Sequence, residues 1–403
     1  MANAPQLDRG GAEGGLMSAA QVRGWCPGAL RPMQSGDGLV VRVRPFGGRL
    51  DAAQIAGLAD LAERHGNGLI DVTTRANLQI RGVGDASHRP LIDGLAQLAL
   101  LDPDPATEAR RNILVTPFWI PGDETQALVA EFEEALAESA LELPTKFGFA
   151  VDDGRSRVLA GDSADVRIER DGKGRLLVRA DGVRFGRSVG RGEAVGTALA
   201  LADWFVRSGG ARGGRGRMAA HVATVGPLPA SLGGDAEPAP VMPAPRPGHY
   251  PQGALVGVAF GQMLHATLGQ FSGCGHALRM TPWRMVLSEG KRTMPSANGL
   301  ITEPHDPSLR VVACSGAPRC REAHADTRAL AAALAPRIAP DTRLHVSGCT
   351  KGCARSGASD VTLVATSAGF DLVRGGSARD EPVLRGLNGA DIVSDPSILV
   401  GGH

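Results

Sequence analysis

Two cysteine pairs near the C-terminal end of the sequence have the residue types and spacing of a metal centre. Cys314 and Cys320 are separated by five residues, and Cys349 and Cys353 by three. A [4Fe–4S] cluster requires four thiolates, one for each iron, brought together by the loops that carry them. Glycines and serines flank both pairs and would allow backbone N–H groups to approach the cluster sulfides. The spacing therefore predicts a [4Fe–4S] cluster bound by these four cysteines.

Two structural alternatives for the same cysteines stay open. Disulfide bonds fit poorly, because nothing else in the sequence is typical of a secreted protein. A structural zinc site is the stronger alternative, although zinc ligand pairs are usually about two to four residues apart and the first pair here has a wider gap. Cys26 and Cys274 lie outside the quartet and their roles stay undetermined; for Cys274 a small buried side chain is the better interpretation.

Length and composition favour an enzyme of the cytoplasm. The 403 residues are enough for a sizeable core and about two or three domains. A formal net charge of +1 gives no electrostatic reason to expect binding to nucleic acid or to a membrane surface. No apolar run is long enough to span a bilayer, and residues 1–15 lack the basic start and apolar core of a signal peptide. A cytoplasmic location is therefore expected, and a reducing cytosol suits thiolate ligands.

A β-α-β-β pattern occurs twice, about 200 residues apart. The first copy predicts a helix that begins after Asp51 and strands at 39–44, 69–73 and 78–81. The second copy predicts a helix at 262–268 and strands at 253–258, 277–281 and 282–287. Thr73 and Thr281 occupy corresponding positions. Two such units predict a pseudo-two-fold α+β protein with a site between its halves.

A longer segment of a different kind follows each unit. After the first, the pattern predicts helices at 124–139 and 194–207, with strands that continue to residue 185. After the second, a helix and a short strand are predicted within 321–343, and an antiparallel stretch at 361–373. The predicted division is a disordered N-terminus (1–22), a first β-α-β-β repeat (23–90), a first α+β domain (91–226), a Pro-rich linker (227–251), a second β-α-β-β repeat (252–300) and a cysteine-bearing domain (301–403).

The arrangement resembles the sulfite and nitrite reductase superfamily over nearly the whole chain. The resemblance implies an α+β fold of duplicated ferredoxin-like half-domains, each combined with a reductase-type α+β portion, in a pseudo-two-fold arrangement. It also implies that the two cysteine pairs hold a [4Fe–4S] cluster, and in the reductases Cys353 would bridge to the iron of sirohaem. Val72–Gln79 resembles the substrate and tetrapyrrole loop, while Arg111-Asn112 and Lys146-Phe147 resemble two other anion-binding points.

Within that superfamily, the sequence more closely resembles the precorrin-3B synthase family. Residues 23–28 and 31–39 resemble the start of that family, and Thr281–Arg284 resembles its second-half loop. The resemblance implies a monooxygenase of aerobic cobalamin biosynthesis, which uses O2 to give precorrin-3A a C-20 hydroxyl group and a ring-A γ-lactone. The reductases commonly carry a K-x-K pair at Lys146, whereas this sequence has Gly148 at the second position and offers less charge to a small oxyanion.

The resemblance also implies the partners of the reaction. Precorrin-3A and O2 would be the substrates, an external donor would supply electrons, and the family allows a second non-haem iron besides the cluster. No His and carboxylate triad for that iron is evident. A built-in dinucleotide domain is not expected, since no Gly-x-Gly-x-x-Gly motif follows a strand. Two other functions stay open: a sulfite or nitrite reductase with sirohaem, and a cluster-bearing electron carrier.

Basic side chains are the expected ligands for the acetate and propionate groups of a tetrapyrrole. Arginine binds carboxylates well because its guanidinium group can donate two parallel hydrogen bonds. The candidates lie on loops at the ends of the repeats: Arg75, Arg81, Arg111, Lys146, Arg279 and Arg284. Ordinary surface charge is the alternative for each. No catalytic side chain is assigned, and ordinary structural roles are the better interpretation of His265, His276 and His305.

Overall fold

The computed structural model describes residues 27–274, 276–290 and 294–399 of the chain. The segment 1–22, which is predicted to be disordered, lies outside these residues, and so do Cys26 and the side chain of Cys274. No helix in the described part of the chain is long and apolar enough to cross a membrane.

The first half alternates short strands with four longer helices and two short ones. Its strands are β1 (Met33–Ser35), β2 (Gly38–Val43), β3 (Arg49–Leu50), β4 (Leu69–Val72), β5 (Leu78–Val83), β6 (Ile113–Val115), β7 (Phe149–Asp152), β8 (Val166–Arg170), β9 (Leu176–Ala180) and β10 (Arg187–Ser188). Its helices are α1 (Ala52–His65), α2 (Asp85–Gln97), α3 (Pro105–Arg110), α4 (Thr125–Glu138), α5 (Ala194–Arg207) and α6 (Met218–Val225).

The second half repeats this order of strands with one additional short strand, Leu300–Ile301, and has shorter helices. Its strands are β11 (Gly248–Tyr250), β12 (Gly253–Val258), β13 (Gln262–Leu264), β14 (Leu278–Met280), β15 (Met285–Glu289), β16 (Leu300–Ile301), β17 (Val311–Ala313), β18 (Leu344–Ser347), β19 (Ser359–Thr366), β20 (Gly369–Gly376) and β21 (Leu384–Leu387). Its helices are α7 (His265–Gly269), α8 (Thr327–Leu334) and α9 (Gly389–Ser394).

The sheets of the two halves have matching topologies. The two ferredoxin-like sheets have the orders β1-β2-β5-β4-β13 and β11-β12-β15-β14-β3, so each takes its last strand from the other half. The two larger sheets have the orders β6-β7-β8-β9-β10 and β17-β18-β19-β20-β21. In each, the first three strands are parallel and the next pair is antiparallel. The duplicated, pseudo-two-fold α+β fold is therefore confirmed.

Helix α1 follows directly from its sequence. The carboxylate of Asp51 accepts the backbone N–H of Gln54, whose side-chain oxygen accepts the N–H of Asp51, which is a reciprocal capping box. Ile55, Leu58 and Leu61 fall at helical spacing and are buried against the sheet. Burying each of these side chains stabilises the fold by roughly 1.5–3 kcal/mol. The predicted helix is confirmed.

The predicted helix in the second repeat is partly wrong. The sequence pattern predicts a helix over 262–268, but Gln262–Leu264 forms strand β13 and the helix begins only at His265. The reason is tertiary, because β4 would otherwise be an uncovered sheet edge. Strand β13 covers that edge by pairing Met263 with Ile70 across the two halves.

Three further predictions differ from the structure, two of them only in where a strand lies. The strands predicted to continue to residue 185 end at Ala180, since Gly182 adopts a φ of 83° in the turn that follows. The short strand predicted within 321–343 lies just beyond that range, as β18. The segment predicted as a Pro-rich linker is not without structure: it ends in strand β11 and bridges back to the first half through Ala236 and Gly186.

The hydrophobic core fixes the relative position of the two repeats. Its largest cluster includes Val41 and Leu78 from the first ferredoxin-like sheet and Val286 from the second. Separate clusters lie between each larger sheet and its helices, around Phe132 in the first half and Leu363 in the second. Because the repeats share one core, loops of one half can contact loops of the other at fixed distances.

Candidate metal centre and substrate site

The four predicted metal ligands lie on two adjacent loops of the cysteine-bearing sheet. Cys314 directly follows β17, and Cys349 comes two residues after β18, its parallel neighbour. Loops that follow parallel strands meet at the same edge of a sheet. The first loop folds back on itself, since the N–H of Cys320 donates to the carbonyl of Gly316 at 2.8 Å. The topology thus brings both cysteine pairs to one site.

The four cysteines are free thiols in a shared electrostatic environment. Burial raises the pKa of the Cys349 thiol, and Cys320 and Cys314 raise it further. Cys353 is the most exposed of the four, yet the protein atoms around it and the other three sulfurs raise its pKa too. Thiolates that repel one another in this way are stabilised when iron binds, so cluster binding should release protons.

Backbone geometry around the cysteines fits a cluster. The N–H of Gly348 donates to Sγ of Cys314 at 3.1 Å, the type of contact that tunes thiolate-bound iron. A Cβ on Gly348 would lie 2.6 Å from Cβ of Ala323 and 3.3 Å from that sulfur, so only glycine fits there. The small residues beside the cysteines therefore let the backbone approach the sulfurs.

A single bound metal ion fits the geometry less well. Among the residues that the structure describes, no three His, Cys, Asp or Glu side chains converge as one metal ion would require. A zinc ion holds its thiolates within about 2.3 Å of a single point, whereas each thiolate of a [4Fe–4S] cluster binds a different iron. A second non-haem iron thus has no ligand set among the described side chains, and its binding stays a prediction.

Arg284 reaches this site from the second repeat. It has a φ of 57° in the loop after β14, and its Nη2 donates to the carbonyl of Ala354 at 3.0 Å, next to Cys353. Nη1 is buried and has no hydrogen-bond partner among the described residues. Burial lowers the pKa of Arg284 to about 10; Arg328 lowers it further, while Asp71 and Cys314 oppose the shift. An unpartnered cationic donor beside Cys314 suits an anionic ligand.

His345 is a buried histidine near the cysteines that sequence reasoning missed. It lies on β18, and its two ring nitrogens have no hydrogen-bond partner within the described part of the chain. Burial lowers its pKa to about 4, and the positive charges of Arg284 and Arg355 add to the effect. The side chain is therefore neutral near pH 7. The only sequence signal for it is a histidine in an apolar strand four residues before Cys349.

Arg81, Arg111 and Arg279, three of the predicted substrate-binding arginines, are already paired with protein carboxylates. Arg81 is bound by Asp37 and Asp71, Arg111 by Asp102 and Glu133, and Arg279 by Glu289. Each of the three arginine side chains is about 4% exposed. A substrate carboxylate would have to displace an internal ion pair to reach them.

Arg75 and Lys146, two other predicted anion-binding residues, come together although 71 positions separate them. Nη2 of Arg75 donates to the backbone carbonyl of Lys146 at 3.2 Å, and the Lys146 side chain is exposed. Nδ2 of Asn112 donates to the carbonyl of Phe147 at 2.8 Å, which ties the third segment to the same place. The structure thus joins the three segments that resemble anion-binding points, with Arg111 itself turned inward.

The loop of the second repeat also contacts the first half through Trp283. Its indole N–H donates to Oδ2 of Asp162 at 3.1 Å, and its ring lies 6.4 Å from that of Phe118. Burial raises the pKa of Asp162 to about 6, while the Trp283 hydrogen bond and Arg167 oppose the shift. Asp162 was not singled out in the sequence, since no motif surrounds it.

Comparisons with known proteins agree with this architecture. Residues 31–98 match the family described as the nitrite/sulfite reductase ferredoxin-like half domain. The NirA protein of Mycobacterium tuberculosis has a similar structure, with a TM-score of 0.59 over 88% of this chain and 79% of that chain. At 18% sequence identity, that likeness concerns the fold alone.

Two relatives are similar in sequence. A precorrin-3B synthase from a Sinorhizobium species is 31% identical over 405 residues, which cover 90% of this chain and 85% of the relative. A ferredoxin–nitrite reductase from Leptolyngbya laminosa is 31% identical over 163 residues, which cover 37% of this chain and 32% of that relative. The first match extends through both halves, and the second covers much less of either protein.

Proposed function

Because the chain belongs to the precorrin-3B synthase family, we propose that it catalyses the O2-dependent oxidation of precorrin-3A. One oxygen atom would enter the product as the C-20 hydroxyl group, and the other would leave as water. The ring-A acetate would close to the γ-lactone, and an external donor would supply two electrons. The observation that supports this most strongly is the match to a precorrin-3B synthase across both halves.

We propose that Cys314, Cys320, Cys349 and Cys353 hold a [4Fe–4S] cluster. When bound, this group would supply electrons one at a time from the external donor. The chain contributes the fixed thiolates, the Gly348 N–H that donates to Cys314, and the nearby positive charge of Arg284. That charge would favour the reduced, more negative form of the site.

For the substrate, we propose contacts to Arg75, Lys146 and Arg284. Arg75 and Lys146 lie together on the joined segments of the first half, and Arg284 has a buried Nη1 with no partner among the described residues. A charge-assisted hydrogen bond to a carboxylate contributes about 1.5–3 kcal/mol. Arg81, Arg111 and Arg279 would act differently, by holding the loops through internal ion pairs.

The test begins with protein purified without oxygen. Iron, acid-labile sulfide and extractable pigment are counted, and the protein is then incubated with precorrin-3A, a reductant and ¹⁸O2. About four irons and four sulfides per chain without sirohaem are expected. One ¹⁸O atom should appear in the C-20 hydroxyl group, because the lactone oxygens come from the acetate. A product without ¹⁸O in the C-20 hydroxyl group, or no conversion of precorrin-3A, would contradict the proposal.

The sulfite or nitrite reductase is the second candidate, favoured by the match to a nitrite reductase and by the related fold. Stoichiometric sirohaem together with reduction of sulfite or nitrite would establish it in place of the synthase. The electron carrier would be supported by a cluster that exchanges electrons while precorrin-3A neither binds nor reacts. The same protein preparation therefore separates the three functions.

A further inference from the structure

The first repeat binds the cysteine loop at one backbone atom, the carbonyl oxygen of Arg319. This oxygen accepts hydrogen bonds from Oγ of Ser35 at 2.7 Å and from the N–H of Gly36 at 3.0 Å. Nη2 of Arg81 is a third, longer donor at 3.3 Å. Arg319 directly precedes Cys320, so these donors fix the peptide group that leads into a proposed cluster ligand.

Arg81 is held rigidly for this contact. Its Nε and Nη2 donate to the carboxylate of Asp37 at 2.9 and 2.7 Å, and its Nη1 donates to Asp71 at 3.2 Å. Asp71 also accepts from Nη2 of Arg328 at 3.2 Å, on the helix α8 that follows the first cysteine pair. The same ion-pair network thus contacts the loop before Cys320 and the helix after it.

Gly36 allows the close approach. A Cβ at this position would lie 2.5 Å from the carbonyl oxygen of Pro318 and 2.9 Å from the carbonyl carbon of Arg319. Both are backbone atoms, so a side-chain rotation cannot relieve the overlap. Any residue other than glycine should therefore move the turn between β1 and β2 away from the cysteine loop.

We infer that Ser35, Gly36 and Arg81 form a positioning contact, the Arg319 contact, through which the first repeat holds Cys320 in place for the cluster. The inference rests on the proposed cluster. It assigns Arg81 a positioning role in place of the predicted contact with substrate. Pro318 and Arg321 on either side are exposed, so these hydrogen bonds hold an otherwise solvent-facing part of the loop.

The first experiment measures how firmly the cluster is held. The Gly36→Ala variant is loaded with iron and sulfide beside the wild type, and iron loss to a chelator is followed by the visible spectrum. Loss about tenfold faster than in the wild type is expected, because opening the loop exposes the cluster. Gly172→Ala is the matched control, since a Cβ there meets no atom within 4 Å. Equal rates for the two variants would overturn the inference.

The second experiment needs no cluster. Trypsin can cleave the apoprotein after Arg319 only if the carbonyl oxygen of that residue leaves its three donors. Gly36→Ala and Arg81→Met should each raise the cleavage rate at this bond about tenfold. Arg279→Met is the control for the loss of a buried arginine, because Arg279 donates to the carbonyls of Pro117 and Trp119. An unchanged rate in both test variants, or an equal rise in the control, would overturn the inference.

The milder Ser35→Ala variant keeps the test decisive if the other variants fold poorly. It removes the shortest hydrogen bond to Arg319 and the Oγ that accepts from Nη2 of Arg81 at 3.0 Å, while the Gly36 N–H and Arg81 remain as donors to Arg319. An intermediate rise in both rates is expected. A wild-type protein that binds no iron or sulfide would overturn the proposed cluster and, with it, the positioning role. A loaded wild type whose variants lose iron no faster would overturn the Arg319 contact alone.

Discussion

The two larger sheets have the same strand order but end in different loops, and only one of them carries the candidate metal centre. Thr116 and Cys314 occupy equivalent positions, since each follows the first strand of its sheet and donates its N–H to the neighbouring parallel strand. Where the next strand ends, one half has Asp152-Asp153 and the other has Ser347-Gly348 before Cys349. The same topology thus carries acidic side chains in one half and the four proposed metal ligands in the other.

Each of the two ferredoxin-like sheets contains a buried ion pair, and the positive and negative residues are exchanged between the two sheets. By strand register, Asp71 corresponds to Arg279 and Arg81 corresponds to Glu289, so each sheet has an ion pair at the same two places with the charges exchanged. Arg81 donates to a carbonyl of the cysteine loop, whereas Arg279 donates to carbonyls of the Pro117–Trp119 loop. The two ion pairs are equivalent although their arginines lie on different strands, and each arginine contacts a loop of the opposite half.

The strongest test of the first comparison is to remove one sulfur. Cys314→Ser should reduce bound iron to background and abolish oxidation of precorrin-3A, because a cluster needs all four thiolates. Iron and sulfide analysis with an electron paramagnetic resonance spectrum measures the loss. Thr116→Ser at the equivalent position keeps its hydroxyl group and should leave the iron content unchanged. Retention of the full cluster by Cys314→Ser would show that the thiolate of Cys314 is not required for cluster binding.

Asp152, at the end of β7 in the larger sheet without cysteines, should make the stability of the protein depend on pH. Burial raises its pKa from 3.8 to about 7, with hydrogen bonds from Leu159 and Val158 opposing the shift. Between about pH 4 and pH 7 the folded protein keeps a proton that the unfolded chain has released, so stability falls as pH rises through this window. Asp152→Asn should remove this loss. Between pH 4 and pH 8, the free energy of unfolding of the variant should therefore rise by up to about 4 kcal/mol relative to that of the wild type.

Urea unfolding of the apoprotein at several pH values would measure this effect. Asp104→Asn is the control, because hydrogen bonds to Thr107 lower the pKa of that exposed carboxyl and the sign is reversed. A wild type and an Asp152→Asn variant with parallel pH profiles would contradict the assigned protonation.

Glu289, in the ion pair of the second ferredoxin-like sheet, binds two arginines that differ in burial. Arg279→Met should lower the free energy of unfolding by about 3 kcal/mol, because it removes a buried partner from a partly buried carboxylate. Arg49 binds the same carboxylate but is 37% exposed, so Arg49→Met should cost less than about 1 kcal/mol. Denaturant unfolding of both variants checks the prediction. Equal costs would mean that burial does not decide the strength of this pair.

The smallest effect on stability is expected at Lys146. Its side chain is exposed, so Lys146→Ala should change the free energy of unfolding by less than about 0.5 kcal/mol. Loss of a carboxylate contact should raise KM for precorrin-3A about three- to tenfold with kcat nearly unchanged. Lys173→Ala, on an exposed turn of the same domain, is the matched control. An unchanged KM would remove Lys146 from the proposed substrate site.

Local sequence determined a large part of this protein. The capping box at Asp51 and the apolar spacing after it specify α1, and the helix predicted at 194–207 is observed as Ala194–Arg207. The two β-α-β-β patterns revealed the duplication, and the cysteine spacing identified the candidate ligands. These features are visible because they depend on periodicity and on spacing within one segment.

Only the tertiary structure decided the rest. No local signal makes Gln262–Leu264 a strand, since it pairs with an edge in the other half. The buried ion pairs of Arg81 and Arg279 likewise depend on residues distant in sequence, and so does the lack of a hydrogen-bond partner for His345 among the described residues. A basic residue has the same sequence signal whether it faces solvent, a substrate or a buried carboxylate. The three cases differ in free energy only once the chain has packed, because burial sets the cost of an unpaired charge.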